Sequence, residues 1–600
     1  MKKRSIQISL LTLVLILSSF NFSGSSIFAQ KLRLKVIETS DVHGAIFPYD
    51  FRNDKKAYTS LSQVSTYVTM ERNKKDQEVI LLDNGDILQG EPVVYYYNFE
   101  KTNVPHILSE VMNFMNYDAA TVGNHDIEAG HPVYDRIRKE FSFPWLAANA
   151  VNKKNKKPYF EPYKIINKKG VKIAVLGLIT PAIPNWLPEK IWQGMEFQDM
   201  ILSAKKWVKF LKENEKADLI IGLFHSGVEY DYNGQKADMP KNENASRLIA
   251  EQVPGFDVIF TGHDHKIWNM RLKNSEGKDV ILCGPANEAR TVAAVDVELE
   301  FNKKNNSWNK KMSSQTVEIK DFKPDSLFMK KFSPAMQEVK EYVSKPIGNF
   351  SETISTRQSM FGNSAFMDII QGIQLELTKA DVSFTAPLSF DTKIDKGTVY
   401  VRDMFKLYKF ENLLYTMKMS GEEIKNYLEH SYNLWFHQMK GPDDHLMNFK
   451  LDSTGNPLKS PRDNSYEMKA QYYNFDCAAG INYTVDVSKP YGSRITISSM
   501  SDGTPFKLKK TYNVAVNSYR GNGGGGHLTE GAKIPKDKLS LRIVNSTEKD
   551  LRYFLMKWIE NKKIVTPKAF GNWKVIPEQW WENAKKRDYK LLYESRNNNS

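Results

Sequence analysis

With 600 residues, 41% of them hydrophobic, the chain is too long for one ordinary core, so two or more domains are expected. Its formal net charge of +14 favours anionic partners. The two cysteines, Cys283 and Cys477, are too few and too far apart for a disulfide framework.

The first 29 residues have the pattern of a secretory signal peptide. Basic residues at 2–4 precede an apolar stretch, Ile8–Leu17, and a short polar segment ends near Ala29. A membrane anchor would need about 20 apolar residues, and Ser18 and Ser19 interrupt the stretch too early. We therefore expect cleavage near Ala29, which lowers the formal charge by three, and a periplasmic or secreted protein whose mature chain has no transmembrane segment.

Two lysine-rich runs, 153–157 and 303–311, are interpreted as solvated loops. The first contains no aromatic residue and the second contains only Trp308. A groove for single-stranded nucleic acid interleaves basic and aromatic residues repeatedly. We therefore expect no stable nucleic-acid partner.

The first half of the chain repeats one pattern, a short apolar strand that ends at Asp, Asn, His and Gly residues. The predicted strands end before Asp41, Asp86, Asn124, His225 and His263. Segments with helical periodicity lie between them, at 57–75, 105–116, 131–141 and 200–212. This alternation predicts an α/β layered domain, closed by two further strands, DVILCGP and TVAAVDVELEF.

The chain changes character after an amphipathic helix predicted around SLFMKKFSPAMQEVKEYV. We predict a signal peptide at 1–29, a first domain at 30–319, a linker helix at 320–345, a second α/β domain at 346–580 and a tail at 581–600. The tail is rich in Arg and Asn and is expected to be disordered after Lys585.

Five loops carry residues typical of metal ligands. The motifs are Asp41-Val42-His43-Gly44, Gly85-Asp86, Gly123-Asn124-His125-Asp126, His225-Ser226-Gly227 and Gly262-His263-Asp264-His265. Carboxylates, imidazoles and one amide oxygen suit a pair of divalent ions such as Zn²⁺, Mn²⁺ or Fe²⁺. A single motif of this kind is usually an ordinary loop. Five of them, each after an apolar run, leave that interpretation little support.

These motifs resemble the calcineurin-type metallophosphoesterase superfamily over roughly residues 32–300. The resemblance implies a pair of β-sheets flanked by helices and two metal ions that activate water for attack on phosphorus. It also implies the ligands: one ion held by Asp41, His43, Asp86 and His265, and a second held by Asp86, Asn124, His225 and His263, with Asp86 bridging.

His125 follows a predicted ligand without being one itself. It is the natural stabiliser of transition-state charge or proton donor to the leaving oxygen. In nucleotidase relatives an acid three residues further on orients this imidazole, and here that residue is Glu128, where aspartate is often found. Asp126 is a competing candidate, although it could equally bond its own loop backbone.

The second half resembles the C-terminal domain of the 5′-nucleotidase family over roughly residues 346–560, through GNSAFMDII, YKFENLLYTMKMSGEEIKNYLE and NSYRGNGGGG. The resemblance implies that two aromatic rings, Phe410 and Tyr519, sandwich the base of a nucleotide. The alternative is that Phe410 is an ordinary aromatic residue of the hydrophobic core and does not stack on a base. The glycine run Gly523–Gly526 would let the backbone approach a ligand.

The ester is indicated by a departure from the 5′-nucleotidase pattern. Many 5′-nucleotidases have a glycine-rich segment ending in arginine where this chain reads TAPLSF at 385–390. That segment, with KGTVYVRDMFKLYKFEN and GLITPAIPNW, resembles the bifunctional 2′,3′-cyclic-nucleotide 2′-phosphodiesterase/3′-nucleotidase branch. The resemblance implies a metal-dependent phosphoric ester hydrolase with nucleotides as small-molecule substrates.

Three alternatives stay open. A 5′-nucleotidase or nucleotide-sugar hydrolase would differ only in the ester cleaved. A non-catalytic nucleotide-binding surface protein would be expected to have lost ligands, and the expected ligands are all present. A nuclease would fit the basic charge, but paired aromatics suit one nucleotide better than a strand.

Overall fold

The computed structural model describes residues 31–460 and 464–594. The predicted signal peptide and the last residues of the predicted tail lie outside these ranges. Within them, every helix is too short or too polar to cross a bilayer.

Two six-stranded sheets form the centre of the first half. In spatial order, the first contains Ser307–Glu318, Thr291–Asn302, Lys31–Thr39, Gln77–Asp83, Ala119–Thr121 and Trp145–Leu146. The second contains Trp268–Lys273, Asp279–Gly284, Val258–Thr261, Leu219–His225, Val171–Ile179 and Tyr163–Lys168. Val36 and Leu82 of the first sheet belong to one buried cluster with Leu223 and Val258 of the second. The predicted pair of sheets is therefore confirmed.

The central strands of both sheets run parallel, as in Lys31–Thr39 beside Gln77–Asp83 and Leu219–His225 beside Val258–Thr261. Parallel strands buried on both faces have nearly continuous apolar sequences. All four residues of Val258–Thr261, for example, are buried. Because parallel strands carry their carboxyl ends at one edge, the loops that follow them meet there.

Helices cover the outer faces of these sheets, as the alternating pattern predicted. They are Leu61–Arg72, Pro92–Tyr95, Ile107–Phe114, Asn124–Glu128, His131–Glu140, Met200–Glu213 and Ser246–Gln252, with shorter helical turns at Tyr96–Glu100, Ile183–Asn185, Glu189–Ile191 and Tyr232–Gly234. The four predicted helices are confirmed, and three of them are shorter than predicted. Ser60 explains one such end, because its side chain accepts a hydrogen bond from the Ser62 N–H and caps the helix.

The predicted linker segment contains one helix, Ser326–Val343, which packs on the first half. The Phe328 ring lies 6.3 Å from the Phe47 ring, and Glu338 pairs with Lys101 at 2.6 Å. Its role as a linker stays a prediction.

The second half is also an α/β structure. Its five-stranded sheet has the order Cys477–Ala479, Val382–Thr385, Thr511–Asn517, Leu413–Ser420 and Ile543–Asp550. Two three-stranded sheets contain Gly397–Tyr400, Pro346–Phe350 and Ile564–Val565, and Ile495–Met500, Ile481–Asp486 and Trp573–Ile576. The helices are Thr356–Ser359, Ala365–Thr378, Val401–Leu407, Gly421–Trp435, Ser518–Gly521, Leu539–Arg542, Leu551–Lys562 and Glu578–Tyr589. The predicted fold class is confirmed in both halves.

Two expectations are wrong. Residues 307–311 are not a loop, because they begin the edge strand Ser307–Glu318, which pairs antiparallel with Thr291–Asn302. Exposed lysines are typical of such an edge. The tail is not disordered directly after Lys585 either, since the helix Glu578–Tyr589 continues through it. Asp588 is fully buried there and accepts hydrogen bonds from backbone N–H groups of the second half.

The two halves are in direct contact. The Tyr95 hydroxyl donates to Asp550 at 3.2 Å, and the Tyr95 ring lies 5.3 Å from the Phe405 ring. Near the ligand loops, the Asn522 amide donates to the Trp186 carbonyl at 3.2 Å. Because the Trp186 ring stacks 5.6 Å from the ring of His263, the second half reaches the edge at which the ligand loops meet.

Candidate metal centre

The structure brings all seven predicted ligands together in two groups. The side chains of Asp41, His43, Asp86 and His265 have ligand atoms within 4.8 Å of one another, and so do those of Asp86, His225 and His263. The amide oxygen of Asn124 lies 3.1 Å from His225 Nε2 and 2.8 Å from His263 Nδ1. Asn124 therefore joins the second group, and Asp86 is shared by both.

The backbone at five of these residues is in the left-handed region. The φ angles are 51° at Asp41, 49° at His43, 57° at Asp86, 76° at His263 and 58° at His265. Residues other than glycine rarely adopt this region, and each instance costs on the order of 1–3 kcal/mol. Such strain clusters at functional sites, where the surrounding structure holds it in place.

Two glycines allow the ligand loops to approach each other closely. A Cβ atom on Gly123 would lie 2.2 Å from Asp86 Oδ1, and one on Gly262 would lie 2.1 Å from Ser40 Oγ. Any side chain at either position would displace these loops. Packing therefore requires both glycines, Gly123 against the shared carboxylate of Asp86 and Gly262 against Ser40 and Asp41.

Each histidine of the two groups is also held through a second ring nitrogen. Metal-ligating histidines usually bond the other nitrogen to a carbonyl or carboxylate, which fixes the ring orientation. The contacts here are His43 Nδ1 with Gln89 O at 3.0 Å, His225 Nδ1 with Asn84 O at 2.6 Å, His263 Nε2 with Glu243 Oε1 at 3.0 Å, and His265 Nδ1 with Asn287 Nδ2 at 3.2 Å.

Glu243 was missed by the sequence analysis. It lies in a loop with no ligand motif, and nothing local distinguishes it from the other acidic loop residues. Only the approach of its loop to His263 in the folded chain identifies it.

The two aspartates are suited to bind cations. Burial by itself would raise the pKa of Asp41 and Asp86. The neighbouring imidazoles, His265 beside Asp41 and His225 beside Asp86, hold both pKa values below the usual range. Both carboxylates therefore stay ionised although they are buried.

The donor set fits divalent cations. Carboxylate oxygens, imidazole nitrogens and one amide oxygen are ligands that suit Zn²⁺, Mn²⁺ or Fe²⁺. Neither cysteine is among them. The two groups could therefore hold divalent metal.

Glu128, rather than Asp126, contacts the His125 ring. The His125 Nδ1 atom lies 2.5 Å from Glu128 Oε2, and the backbone N–H of His125 donates to Asp86 Oδ1 at 2.8 Å. Burial lowers the pKa of His125, but the Asp86 and Glu128 carboxylates raise it to about 9. Glu128 thus fixes the orientation of the imidazole, and the backbone of His125 is bonded to the shared ligand. The catalytic roles of His125 and Glu128 stay predictions.

Asp126 instead braces the ligand loops. Its buried carboxylate accepts backbone N–H groups of Gly123 at 2.7 Å, Asp86 at 3.0 Å, Ile87 at 2.9 Å and Leu88 at 3.0 Å. It therefore ties the loop of Asp86 to the loop of Asn124.

The two predicted base-stacking residues lie in the second half, and both are partly buried. The Phe410 ring lies 6.3 Å from the ring of Tyr473, nearly perpendicular to it, and the Arg520 guanidinium lies 5.2 Å from the Tyr519 ring. The base-stacking roles of Phe410 and Tyr519 stay predictions.

The glycine run makes room for protein groups. A Cβ on Gly524 would lie 2.6 Å from the Tyr519 ring, and one on Gly525 would lie 2.5 Å from Arg520 Nη1. At these two positions the backbone approaches side chains of its own domain, whereas the sequence analysis expected it to approach a ligand.

A buried ion pair supports the aromatic residues. Arg520 Nε and Nη2 donate to the two carboxylate oxygens of Asp476 at 3.0 and 2.9 Å. Arg520 Nη2 also donates to the Tyr473 carbonyl at 2.5 Å. Arg520 therefore links the segment of Tyr473 to that of Tyr519.

Two family descriptions match the chain. Residues 34–267 match calcineurin-like phosphoesterase, and residues 346–530 match the C-terminal domain of 5′-nucleotidase. The first match covers the ligand loops as far as His265. The second covers Phe410 and Tyr519.

Among curated proteins, the 2′,3′-cyclic-nucleotide 2′-phosphodiesterase/3′-nucleotidase of Haemophilus influenzae is 25% identical over 648 residues, covering 96% of this chain and 92% of that protein. The trifunctional nucleotide phosphoesterase protein YfkN of Bacillus subtilis is 27% identical over 615 residues, which are 92% of this chain. The chain spans only 39% of the length of YfkN.

Among solved structures, the 5′-nucleotidase precursor from Thermus thermophilus has a TM-score of 0.60 at 20% identity, covering 91% of this chain and 100% of that one. This likeness concerns the fold. Together with the two domain matches and the ligand groups, it places the chain in a known architecture. The chain is a metal-dependent phosphoric ester hydrolase that joins a calcineurin-like phosphoesterase domain to a 5′-nucleotidase C-terminal domain.

Proposed function

We propose that the chain is an exported two-metal hydrolase that converts 2′,3′-cyclic nucleotides to 3′-nucleotides, and these to nucleoside and phosphate. The observation that carries the proposal is that two groups of ligands share Asp86 and that His125 lies beside this residue. When bound, two divalent ions acidify water and neutralise the charge of the phosphoryl oxygens.

The chain's own groups supply the proton for the leaving oxygen. In the first step water adds to phosphorus and the bond to O2′ breaks, which leaves the 3′-monophosphate. In the second step another water adds and the bond to O3′ breaks, which releases inorganic phosphate. In each step His125 donates a proton to the departing oxygen, and Glu128 at 2.5 Å orients the ring.

The choice of ester rests on the second half and on the relatives. The TAPLSF segment carries no arginine, and most of it is buried. Three relatives, each about 25% identical and matched over at least 92% of this chain, are named 2′,3′-cyclic-nucleotide 2′-phosphodiesterase/3′-nucleotidase. In the proposed complex the base stacks between Phe410 and Tyr519 while the phosphate lies at Asp86.

Export is proposed from the sequence of the first 29 residues. An exported enzyme meets nucleotides from degraded RNA, which carry 2′,3′-cyclic and 3′-phosphates after cleavage through the 2′-hydroxyl. Nucleoside and phosphate are products that a cell can take up.

The test is the release of phosphate and nucleoside from 2′,3′-cyclic AMP, 3′-AMP and 5′-AMP with added Mn²⁺ or Zn²⁺. We expect turnover of the first two, and a decrease of about 10²- to 10⁴-fold in the His125→Ala variant. The matched control is His131→Ala, because His131 also pairs with an acid, Asp135 at 3.0 Å, but lies outside the two ligand groups.

Preference for 5′-AMP would instead indicate a 5′-nucleotidase, which is the name of two relatives. Binding of nucleotides without turnover in the presence of either metal would favour the non-catalytic protein. Faster cleavage of long DNA than of mononucleotides would favour a nuclease.

A further inference from the structure

One further loop reaches the edge at which the ligand loops meet. The Trp186 loop, residues 180–191, follows the strand Val171–Ile179 and contains none of the seven predicted ligands. This strand runs parallel to the strand that ends at His225, and the Thr180 N–H donates to the His225 carbonyl at 2.8 Å. The loop therefore begins beside a ligand, at the carboxyl end of a parallel strand, where binding sites of such sheets lie.

The ring of Trp186 packs against the face of a predicted ligand, His263. The two ring centres are 5.6 Å apart and the planes are inclined by 27°, which is a stacked arrangement. Rotation of a histidine ring about its terminal torsion has broad minima. The two nitrogens of His263 face Asn124 and Glu243, and a flat neighbour against the ring resists tilting away from both. The stack therefore restrains the orientation of this imidazole.

The stacked ring covers one ligand group and not the other. The His263 side chain is 12% exposed, whereas the His265 side chain of the other group is 40% exposed. Trp186 itself is partly buried. Removal of the Trp186 ring should therefore affect the group of His263 more than the group of His265.

The second half of the chain holds the Trp186 loop in place. The Asn522 amide donates to the Trp186 carbonyl at 3.2 Å, and Asn522 directly follows the short helix that contains Tyr519. The Lys536 ammonium donates to the side-chain oxygen of Asn185, the residue before Trp186. The residue that stacks on a predicted metal ligand is thus attached to the other half of the chain.

We propose that Trp186 is a positioning residue for the ligand His263, and that the second half holds Trp186 in place through Asn522. The inference rests on the proposed two-metal function, since it takes His263 to bind a metal ion. Metal affinity at this group then depends on the contact between the halves, although all the predicted ligands belong to the first half.

The test is a calorimetric titration of the metal-free protein with Mn²⁺. We expect Trp186→Ala to weaken one of two binding events by about 10- to 100-fold, as is typical when an outer partner of a ligating histidine is removed. The other event should change by less than about twofold. Trp186→Phe keeps a flat ring and should recover most of the affinity. The matched control is Trp207→Ala, because Trp207 is also partly buried in the first half but packs on Tyr163 at 5.7 Å.

Asn522→Ala tests the contribution of the second half. Loss of a neutral hydrogen bond to the Trp186 loop should weaken the same binding event by about 2- to 10-fold. Added to Trp186→Ala, it should weaken binding no further, because Asn522 acts through the ring that is already absent. The control is Asn448→Ala, since the Asn448 amide donates to the Asn433 carbonyl within the second half, at 3.0 Å.

Metal binding by Trp186→Ala as tight as by Trp207→Ala would overturn the proposal. Effects of Trp186→Ala and Asn522→Ala that multiply in the double variant would also overturn it, because the two residues would then act independently. If Trp186→Ala does not fold, Trp186→Leu, which fills space without a flat ring, replaces it with the same expected result. Absence of metal binding by the unaltered protein would refute the proposed function and this inference together, whereas the other contrary results leave the proposed function intact.

Discussion

Glu243 offers a direct test of how the protein holds its second metal. Its carboxylate lies 3.0 Å from His263 Nε2, while His263 Nδ1 faces Asn124 at 2.8 Å. The side chain of Glu243 is 13% exposed, so this contact is largely shielded from water. We predict that Glu243→Ala weakens metal binding at the group of Asp86, Asn124, His225 and His263.

The magnitude follows from the hydrogen bond that is lost. A hydrogen bond to a charged group contributes about 1.5–3 kcal/mol, and removal of such outer partners typically lowers metal affinity by about 10- to 100-fold. Glu243→Gln keeps an oxygen that can accept the bond but loses the charge. Its effect should therefore fall between those of Glu243→Ala and the unaltered protein.

The assay is a metal titration of the metal-free protein, followed by calorimetry and by recovery of phosphatase activity. Activity of Glu243→Ala should recover at about 10- to 100-fold higher metal concentration. The control is Glu229→Gln, because Glu229 is half exposed and pairs with Lys266 rather than with an imidazole. Equal metal affinity in Glu243→Ala and Glu229→Gln would refute the reasoning.

Two further predictions concern packing. Asp476→Ala leaves the Arg520 guanidinium buried without its carboxylate and should lower the free energy of unfolding of the second half by about 3–5 kcal/mol. Urea unfolding checks this, and a loss below about 1 kcal/mol, as for an exposed pair, would contradict it. Gly123→Ala would place a Cβ 2.2 Å from Asp86 Oδ1 and should abolish metal binding. The control is Gly441→Ala, because an added Cβ there meets no atom within 4 Å. Metal binding by both variants is measured by calorimetry. Equally tight binding in Gly123→Ala and in the control would contradict the prediction.

Much of the fold could be read from local patterns. The predicted apolar runs before Asp41 and His263 became the strands Lys31–Thr39 and Val258–Thr261. Such runs are informative because parallel strands are buried on both faces, whatever their neighbours are. Helix ends were less certain, since a cap such as Ser60 depends on which serine reaches a free N–H.

Local composition failed where long-range pairing decided the structure. The lysines around residue 310 favour a loop by composition. Residues 307–318 instead form a strand, because the backbone of Thr291–Asn302 is available to pair with theirs. The segment after Lys585 looks like a tail, but Asp588 finds buried N–H groups at Leu446 and Met447. In both cases residues distant in sequence supply the stabilising contacts.

The sequence by itself determined the types of ligand and the class of chemistry, because few residue types bind divalent cations and their motifs are local. The contact of Glu128 with His125, three residues away, was predicted from the sequence, but only the tertiary structure decided that Asp126 bonds the backbone of the Asp86 loop. It also supplied Glu243 for His263. These choices depend on which surfaces meet in the folded chain, and contacts between distant segments have no signature in the order of the residues.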